Sequence, residues 1–313
     1  MPAVDDPRLH ALAPYLRCTT CGADLALEEG GFACEGGHRF PVVGGVPRFV
    51  SPSSYADSFG YQWTTFRRTQ LDDDDRAESE QTFAEKTGLT PDDVRGRSVL
   101  DVGCGMGRFS DVVARWGART VVGVDLSRAV EAAVENLSPY PGAAIVQGDA
   151  ADPPFREGSF DMVFSIGVLH HTPSTARSLA AVARLVRPGG TLAVWVYAAR
   201  LRRTHFGSEI LRPLTSRLPE DRLLKIVRWT VPKMDRLHAR LPGPISQMTR
   251  VALPTSGHHD REWRILDTFD WYSPRYQWKH TDEEVTGWFR RLGFTDLWVG
   301  PVPASVRGKR PGS

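Results

Sequence analysis

Three groups of residues in this 313-residue chain have types and spacings that could do chemistry. The first is the glycine turn Gly103-Cys-Gly105-Met-Gly107, which follows the apolar run Val99-Leu-Asp101-Val and precedes a helical pattern from about Arg108. Glycines at alternate positions allow a tight turn and let a ligand approach the main chain. A dinucleotide fingerprint requires glycine at 103, 105 and 108, and Arg108 breaks it. About twenty residues on, the run Val121 to Val124 ends in Asp125, the spacing at which a carboxylate can take ribose hydroxyls. The second group is Cys18-x2-Cys21-x12-Cys34-x3-His38. In a reducing compartment this spacing reads as tetrahedral zinc rather than as disulfides. Four good ligands leave no open coordination position, so the expected metal is structural, folding about fifty residues too few to build their own core. The third group is His170, His171 and His280, each a candidate general base towards a hydroxyl nucleophile.

The elements that must position these residues follow from hydrophobic pattern. Apolar runs at Ser98–Val102, Val121–Asp125, from Ala143 towards Asp149 and from Phe160 towards His171 alternate with short helical segments. Leu185 to Tyr197 adds a helix end, a Pro-Gly-Gly turn and a fifth strand. This alternation predicts a parallel, doubly wound sheet, with ligands outside the carboxyl ends of its strands. Gly103 to Gly107, Asp125, Asp149 and Ile166 to His171 all fall at those ends.

The ordered set over residues 96–200 resembles the class I S-adenosylmethionine methyltransferases. The resemblance implies that Asp101, Gly103, Gly105 and Gly107 hold the methionine part of S-adenosylmethionine, that Asp125 binds its ribose and that Leu126 flanks the adenine. It further implies that Asp149 accepts from the adenine amino group, that Ala150 adds a backbone contact, and that Ile166 borders the cofactor. In such enzymes helices ahead of the first strand lie over the cofactor, which makes Tyr61, Gln62 and Trp63 lid candidates. Leu-His-His-Thr at 169–172 resembles the quinone, sterol and sugar methyltransferases. The cysteine segment, continuing through His38-Arg-Phe-Pro-Val-Val-Gly-Gly-Val-Pro-Arg48, resembles the zinc ribbon ahead of bacterial rRNA guanine-N1 methyltransferases and in methyltransferase partner proteins. Cys104 reads as a small buried residue and Asp161 as a structural acid.

The expected architecture is thus α/β: a doubly wound, Rossmann-like class I methyltransferase sheet with a small N-terminal zinc ribbon and a helical insertion after the fifth strand. The boundaries expected are ribbon 1–50, helical lid or linker 51–95, cofactor-binding core 96–200, helical substrate cap 201–275, and last helix with closing strands 276–313. Within the cap, Glu209 to Leu218 and Glu220 to Val231 read as helices. Thr281 and Glu284 form a capping box for the last helix, and Ser305 to Pro311 reads as the closing edge strand. Asp72 to Asp75 reads as a solvated acidic loop, and the segment 201–262 is locally basic, with 12 Arg and Lys against 6 Asp and Glu.

Composition is that of an ordinary globular protein, 41% hydrophobic and 24% charged with a net charge of +2. No run approaches the roughly 18 apolar residues of a membrane span, and the first ten residues lack the apolar centre of a secretory signal, so a cytoplasmic protein is expected. The Asp/Asn-Pro-Pro-aromatic motif of enzymes that methylate exocyclic amines of bases is replaced by Ser165-Ile-Gly-Val. The cysteine segment sets only Arg39 and Arg48 against Asp24, Glu28, Glu29 and Glu35, which argues against a phosphate footprint and nucleic acid. The expected activity is methyl transfer to oxygen of a small, anionic metabolite such as a natural product, sugar or lipid-like acceptor. Alternatives are C-methylation, rRNA base methylation and methylation of a peptide carboxylate. Oligomeric state is not legible.

Overall fold

Why the apolar runs become a sheet is visible in the computed structural model, which describes residues 6–50, 57–72, 77–199 and 205–312. Every residue of strand β5 (Ser98–Val102) is buried, so both of its faces need cover. β5 lies between β6 (Thr120–Asp125) and β8 (Phe160–Ile166), with β7 (Ala143–Gln147) beyond β6 and β9 (Val186–Trp195) beyond β8, all parallel. Helices α5 (Arg108–Arg115), α6 (Val130–Asn136) and α7 (Thr175–Ala183) make the crossovers. The Pro188-Gly-Gly190 segment, expected as a turn, is a distortion inside β9. The register slips between Phe160↔Val186 and Met162↔Thr191, and a side chain at Gly190 would lie 2.7 Å from the Asp161 carbonyl oxygen.

The sheet closes differently from expectation. β11 (Ser305–Lys309) is not the edge: it runs antiparallel between β9 and β10 (Thr295–Val299), which takes the edge. β11 supplies buried Val306, whereas β10 has no buried residue. The final helix α12 (Asp282–Arg291) is capped by Thr281, whose side chain accepts from the Glu284 amide. Glu284 itself turns to His280 Nδ1 at 2.9 Å, so the reciprocal half of the capping box is diverted.

Ahead of the sheet, α1 (Pro7–Leu12), which hydrophobic pattern did not reveal, is capped by Asp6. It leads to an antiparallel sheet of β1 (Ala26–Glu28), β2 (Gly31–Ala33), β3 (Arg39–Val43) and β4 (Val46–Pro47). This unit does not stand apart. Leu9, Leu12, Leu16, Phe32 and Phe40 share one buried cluster with Phe155 and Phe160 of the main sheet region. The Phe49 amide donates to the Gln147 carbonyl at 2.9 Å, continuing the unit onto the open edge at β7.

Of the remaining helices, α2 (Asp57–Thr65), α3 (Glu78–Thr87) and α4 (Pro91–Val94) precede β5; α8 (Phe206–Thr215), α9 (Glu220–Arg240), α10 (Gly243–Ala252) and α11 (Arg261–Tyr272) follow β9. Among them, α2, α3 and α11 reach a cavity at the carboxyl ends of the parallel strands. α8 begins before Glu209, and α9 runs nine residues past Val231, through Pro232: Leu223, Val227 and Val231 pack in one cluster with Ile265, Leu266 and Phe269 of α11, and Met234 and His238 stay buried beyond it. Tyr55, Asp73 to Asp75, and Arg202 and Arg203 of the basic segment lie outside the described residues.

Candidate active site

The loop from Gly103 to Gly107 sits where β5 ends, and it is tied to β6: the Gly103 and Cys104 amides both donate to the Val124 carbonyl, at 2.7 and 3.1 Å. Gly103 has φ +80°, and a Cβ there would lie 2.3 Å from the Val168 side chain, so only glycine fits. Gly105, at φ +54°, is overlaid by the Trp63 indole, whose Nε1 would stand 3.2 Å from a Cβ. Asp125 closes the loop from β6, accepting from the Gly105 amide at 2.9 Å and from the Ser127 amide and hydroxyl at 2.8 and 2.7 Å. A carboxylate has about four acceptor sites, so one remains for a ligand hydroxyl.

These residues wall a cavity of about 490 Å³ between the strand ends and the surrounding helices. Of the sequence candidates, Trp63, Gly103, Gly105, Asp125, Leu126, Ala150, Ile166 and His171 line it, as does Gln62. Others do not. Asp101 lies beneath the loop, buried and accepting from Ser110 Oγ at 2.7 Å, with burial pushing its carboxyl up to about 7. Gly107 packs beside Leu137, Tyr61 turns towards Phe269, and Asp149 accepts from the Ala151 amide at 2.8 Å while its neighbours Gly148 and Ala150 reach the cavity.

The three histidines separate. His280 is removed from the cavity, its Nδ1 on Glu284 and its Nε2 2.9 Å from Thr175 Oγ1, so it braces α12 against α7. His170 is fully buried between His171 and Tyr197, both rings 4.0 Å away, and burial holds it well below the usual imidazole range. Neither is placed to meet a substrate. His171 lines the cavity; its Nδ1 donates to the Tyr276 carbonyl at 2.8 Å, which leaves Nε2 as the acceptor nitrogen. Burial, opposed by that hydrogen bond, pushes its pKa down to about 4.

Sequence reasoning missed the groups that α3, α5 and α11 contribute. Asp267 and Asp270, one helical turn apart on α11, both face the cavity, and burial pushes each up to about 6. Asp270 accepts from Tyr197 Oη at 2.7 Å and Asp267 from Ser256 Oγ at 3.0 Å. Arg108 donates to Ser79 Oγ and the Gln70 side chain, stacks near Trp263, and keeps a buried Nη2 with no partner. Gln62 Oε1 is likewise buried without a partner. Lys86 places its Nζ 3.4 Å from the Trp195 ring centre, with no carboxylate within 4 Å among the described residues. The available signal was an Asp-x-x-Asp pair on the apolar stripe of an amphipathic helix, beside Trp263, Leu266 and Trp271.

Far along the N-terminal unit, Cys18, Cys21, Cys34 and His38 bring four donor atoms within 4.8 Å of one another. Two similar turns deliver them: Gly22 donates to the Cys18 carbonyl and Gly37 to that of Cys34, each at 2.9 Å. Cys21 Sγ to Cys34 Sγ is 3.7 Å and Cys34 Sγ to His38 Nδ1 is 3.3 Å. Sulfurs about 2.3 Å from a tetrahedral centre stand about 3.8 Å apart, so the donor set suits zinc and the spacing is far too long for a disulfide. A second cluster, Glu78, His258 and His259, fits a metal poorly. His258 Nδ1 accepts from the Asp260 amide at 3.1 Å, which leaves the proton on Nε2, where it faces Glu78 at 3.2 Å.

Comparison with known proteins finds similarity over part of the chain. Residues 100–194 match the family model described as a methyltransferase domain. The ubiquinone biosynthesis O-methyltransferase of Albidiferax ferrireducens is 41% identical over 120 residues, 36% of this chain and 44% of that protein. A phthiotriol/phenolphthiotriol dimycocerosates methyltransferase of Mycobacterium ulcerans is 37% identical over 101 residues, 32% of this chain and 37% of the other. The chain spans less than half the length of these curated relatives. Among solved structures, an S-adenosylmethionine-dependent methyltransferase from Mesorhizobium loti aligns over 75% of this chain and 99% of its own, at 18% identity and a TM-score of 0.46.

Proposed function

We propose that this chain, whose residues 100–194 match the model of a methyltransferase domain, transfers a methyl group from S-adenosylmethionine to the hydroxyl of a small acceptor. The observation that carries the cofactor half is a pair of orphaned polar atoms in one cavity: the Arg108 Nη2 donor and the Gln62 Oε1 acceptor. They complement the carboxylate and ammonium of an amino acid, and Asp125 offers its remaining acceptor site to a ribose hydroxyl. Leu126, Ala150 and Ile166 furnish the apolar border that an adenine needs.

When bound, the cofactor would supply an electrophilic methyl carbon to the acceptor oxygen, its sulfonium leaving as a thioether with the S–C electron pair. The chain's part is positioning, dehydration and proton management. Trp63 covers the glycine loop and keeps water out. His171 Nε2 accepts from the acceptor hydroxyl and aims it; with a pKa near 4 it stays neutral but is a weak base. The Asp270 carboxylate, oriented by Tyr197, is the better proton acceptor at about 6. The aromatic walls Trp195, Trp263 and Trp271 suit an acceptor with an apolar body, and the names of the matched relatives, an O-methyltransferase of ubiquinone biosynthesis among them, support a lipid-like one. Lys86, whose amine burial pulls down to about 7, gains a charge partner when an acidic substituent of the acceptor lies beside it, which favours an anionic acceptor. Cys18, Cys21, Cys34 and His38 hold a structural Zn²⁺ in this reading, with no step of the reaction passing through it.

The test is incorporation from methyl-labelled S-adenosylmethionine into a lipid and metabolite extract of the source cells, and separately into their total RNA. Label in the extract alone supports the proposal and yields the product for identification. Label in RNA alone overturns it.

A further inference from the structure

The exposed apolar residues of this protein are not scattered. Ten of the thirteen large apolar side chains that are exposed among the described residues fall between Phe206 and Leu253. Scattered exposed leucines need no explanation, but concentration in one segment does. On α8, Phe206, Ile210 and Leu214 recur every four residues and so share one face, with Leu214 68% exposed. α9 carries two stripes. Its inner stripe is buried against α11, while Ile226, Trp229 and Leu237 lie on the outer side, Trp229 being 65% exposed. α10, packed against both α8 and α9, has no buried residue and exposes Met248 to 72%.

Charge on the same stripe identifies the partner. Arg222, Lys233, Arg236 and Arg240 recur beside Trp229 and Leu237 at helical spacing, and none has a carboxylate within 4 Å among the described residues. Lys233 instead holds its Nζ 3.3 Å from the Trp229 ring centre. The acids nearby are committed elsewhere, Asp235 to Arg264 and Glu209 to Lys279. From 205 to 253 there are nine Arg and Lys against four Asp and Glu. Apolar side chains with an indole, interleaved with unpaired cations, match the boundary of an anionic bilayer, where the apolar groups enter and the cations meet headgroups. A twofold dimer would set this patch against itself and bring like charges together, which disfavours a second copy as the cover.

We propose that α8, α9 and α10 form a docking surface for an anionic lipid bilayer. The surface adjoins the cavity: His205, the residue before Phe206, lines the cavity with its ring 4.1 Å from that of Trp271. A lipid-dissolved acceptor would therefore enter beside the docked face. The docking itself does not depend on the methyl-transfer reading, and its test involves no turnover.

The experiment is flotation of the full chain with vesicles of equimolar phosphatidylcholine and phosphatidylglycerol, and with phosphatidylcholine alone, at near-physiological and at molar salt. The protein should float with the anionic vesicles and be released by molar salt. Lys233→Gln and Arg236→Gln should each weaken partition about fivefold, the equivalent of ~1 kcal/mol per cation near an anionic surface. Trp229→Ser should weaken it with the charges intact, and melting curves of all three variants should match the parent, since these side chains touch no core. Failure to float, or equal partition onto both kinds of vesicle, overturns the proposal. So does a dimer in sedimentation equilibrium that Trp229→Ser dissociates, because the patch would then be an interface between copies.

Discussion

Arg108 illustrates how a residue's meaning depends on what surrounds it. In the sequence it is the residue that spoils a dinucleotide fingerprint; in the structure it is a buried guanidinium with one donor unspent, facing a cavity. A charged hydrogen bond is worth about 1.5–3 kcal/mol, so Arg108→Gln should weaken S-adenosylmethionine binding about 10- to 100-fold by calorimetry. Asp270 makes the complementary point for protons. Burial raises its pKa from 3.8 to about 6 although the Tyr197 hydroxyl opposes the shift, so the proton-accepting form appears only as pH rises through about 6. The kcat/KM of the parent should climb through that range and level off above it. Asp270→Asn should lose about 100-fold and, with it, that limb of the pH profile. His171 should not produce the limb, because burial has moved its own titration down to about 4. The two groups act on stability with opposite signs. The raised Asp270 contributes stability below pH 4 that is lost as pH rises through about 6, and the depressed His171 contributes stability above pH 6.5 that is lost as pH falls through about 4.

At the scale of elements, the turn after β5 and the cap of α12 differ in what they can tolerate. At Gly103 a side chain would meet both a left-handed backbone and Val168 at 2.3 Å. Gly103→Ala should therefore cost about 2–4 kcal/mol in denaturant unfolding and distort the cavity floor. Thr281→Ala removes only one cap hydrogen bond, so a loss of about 1 kcal/mol is expected, and the cavity should keep its ligand. Both elements were legible locally, since a glycine turn and an N-cap are short-range patterns. The reciprocal bond from Glu284 was not, because His280 competes for that carboxylate from outside the motif.

The molecule as a whole couples the cysteine cluster to the sheet. Leu12, Leu16 and Phe32 share a core with Phe155 and Phe160, and Phe49 pairs with the β7 edge, so the N-terminal unit has no separate core to lose. Cys34→Ser, or chelation of the intact protein, should lower the midpoint of a single thermal transition, with bound zinc by elemental analysis falling in parallel. Two resolved transitions would show the unit to be energetically independent. Retention of full zinc by the variant would remove the metal assignment.

The sequence by itself determined whatever depends on neighbours in the chain. The order of the parallel strands, the glycine loop, Asp125 at the end of β6, and the paired turns that bring Cys18, Cys21, Cys34 and His38 together are written in spacing and periodicity and recur in the structure. Tertiary structure decided what depends on distant packing. It separated three equivalent histidines into a cavity-lining ring, a buried ring and a brace, and it inserted β11 inside the sheet rather than at its edge. It also brought Lys86, Asp267 and Asp270 from helices on either side of the core to one cavity. The physical reason is common to these cases. Strand and turn propensities act over a few residues, whereas burial, and the pKa shifts and unpaired donors it creates, comes from packing between elements that stand far apart along the chain.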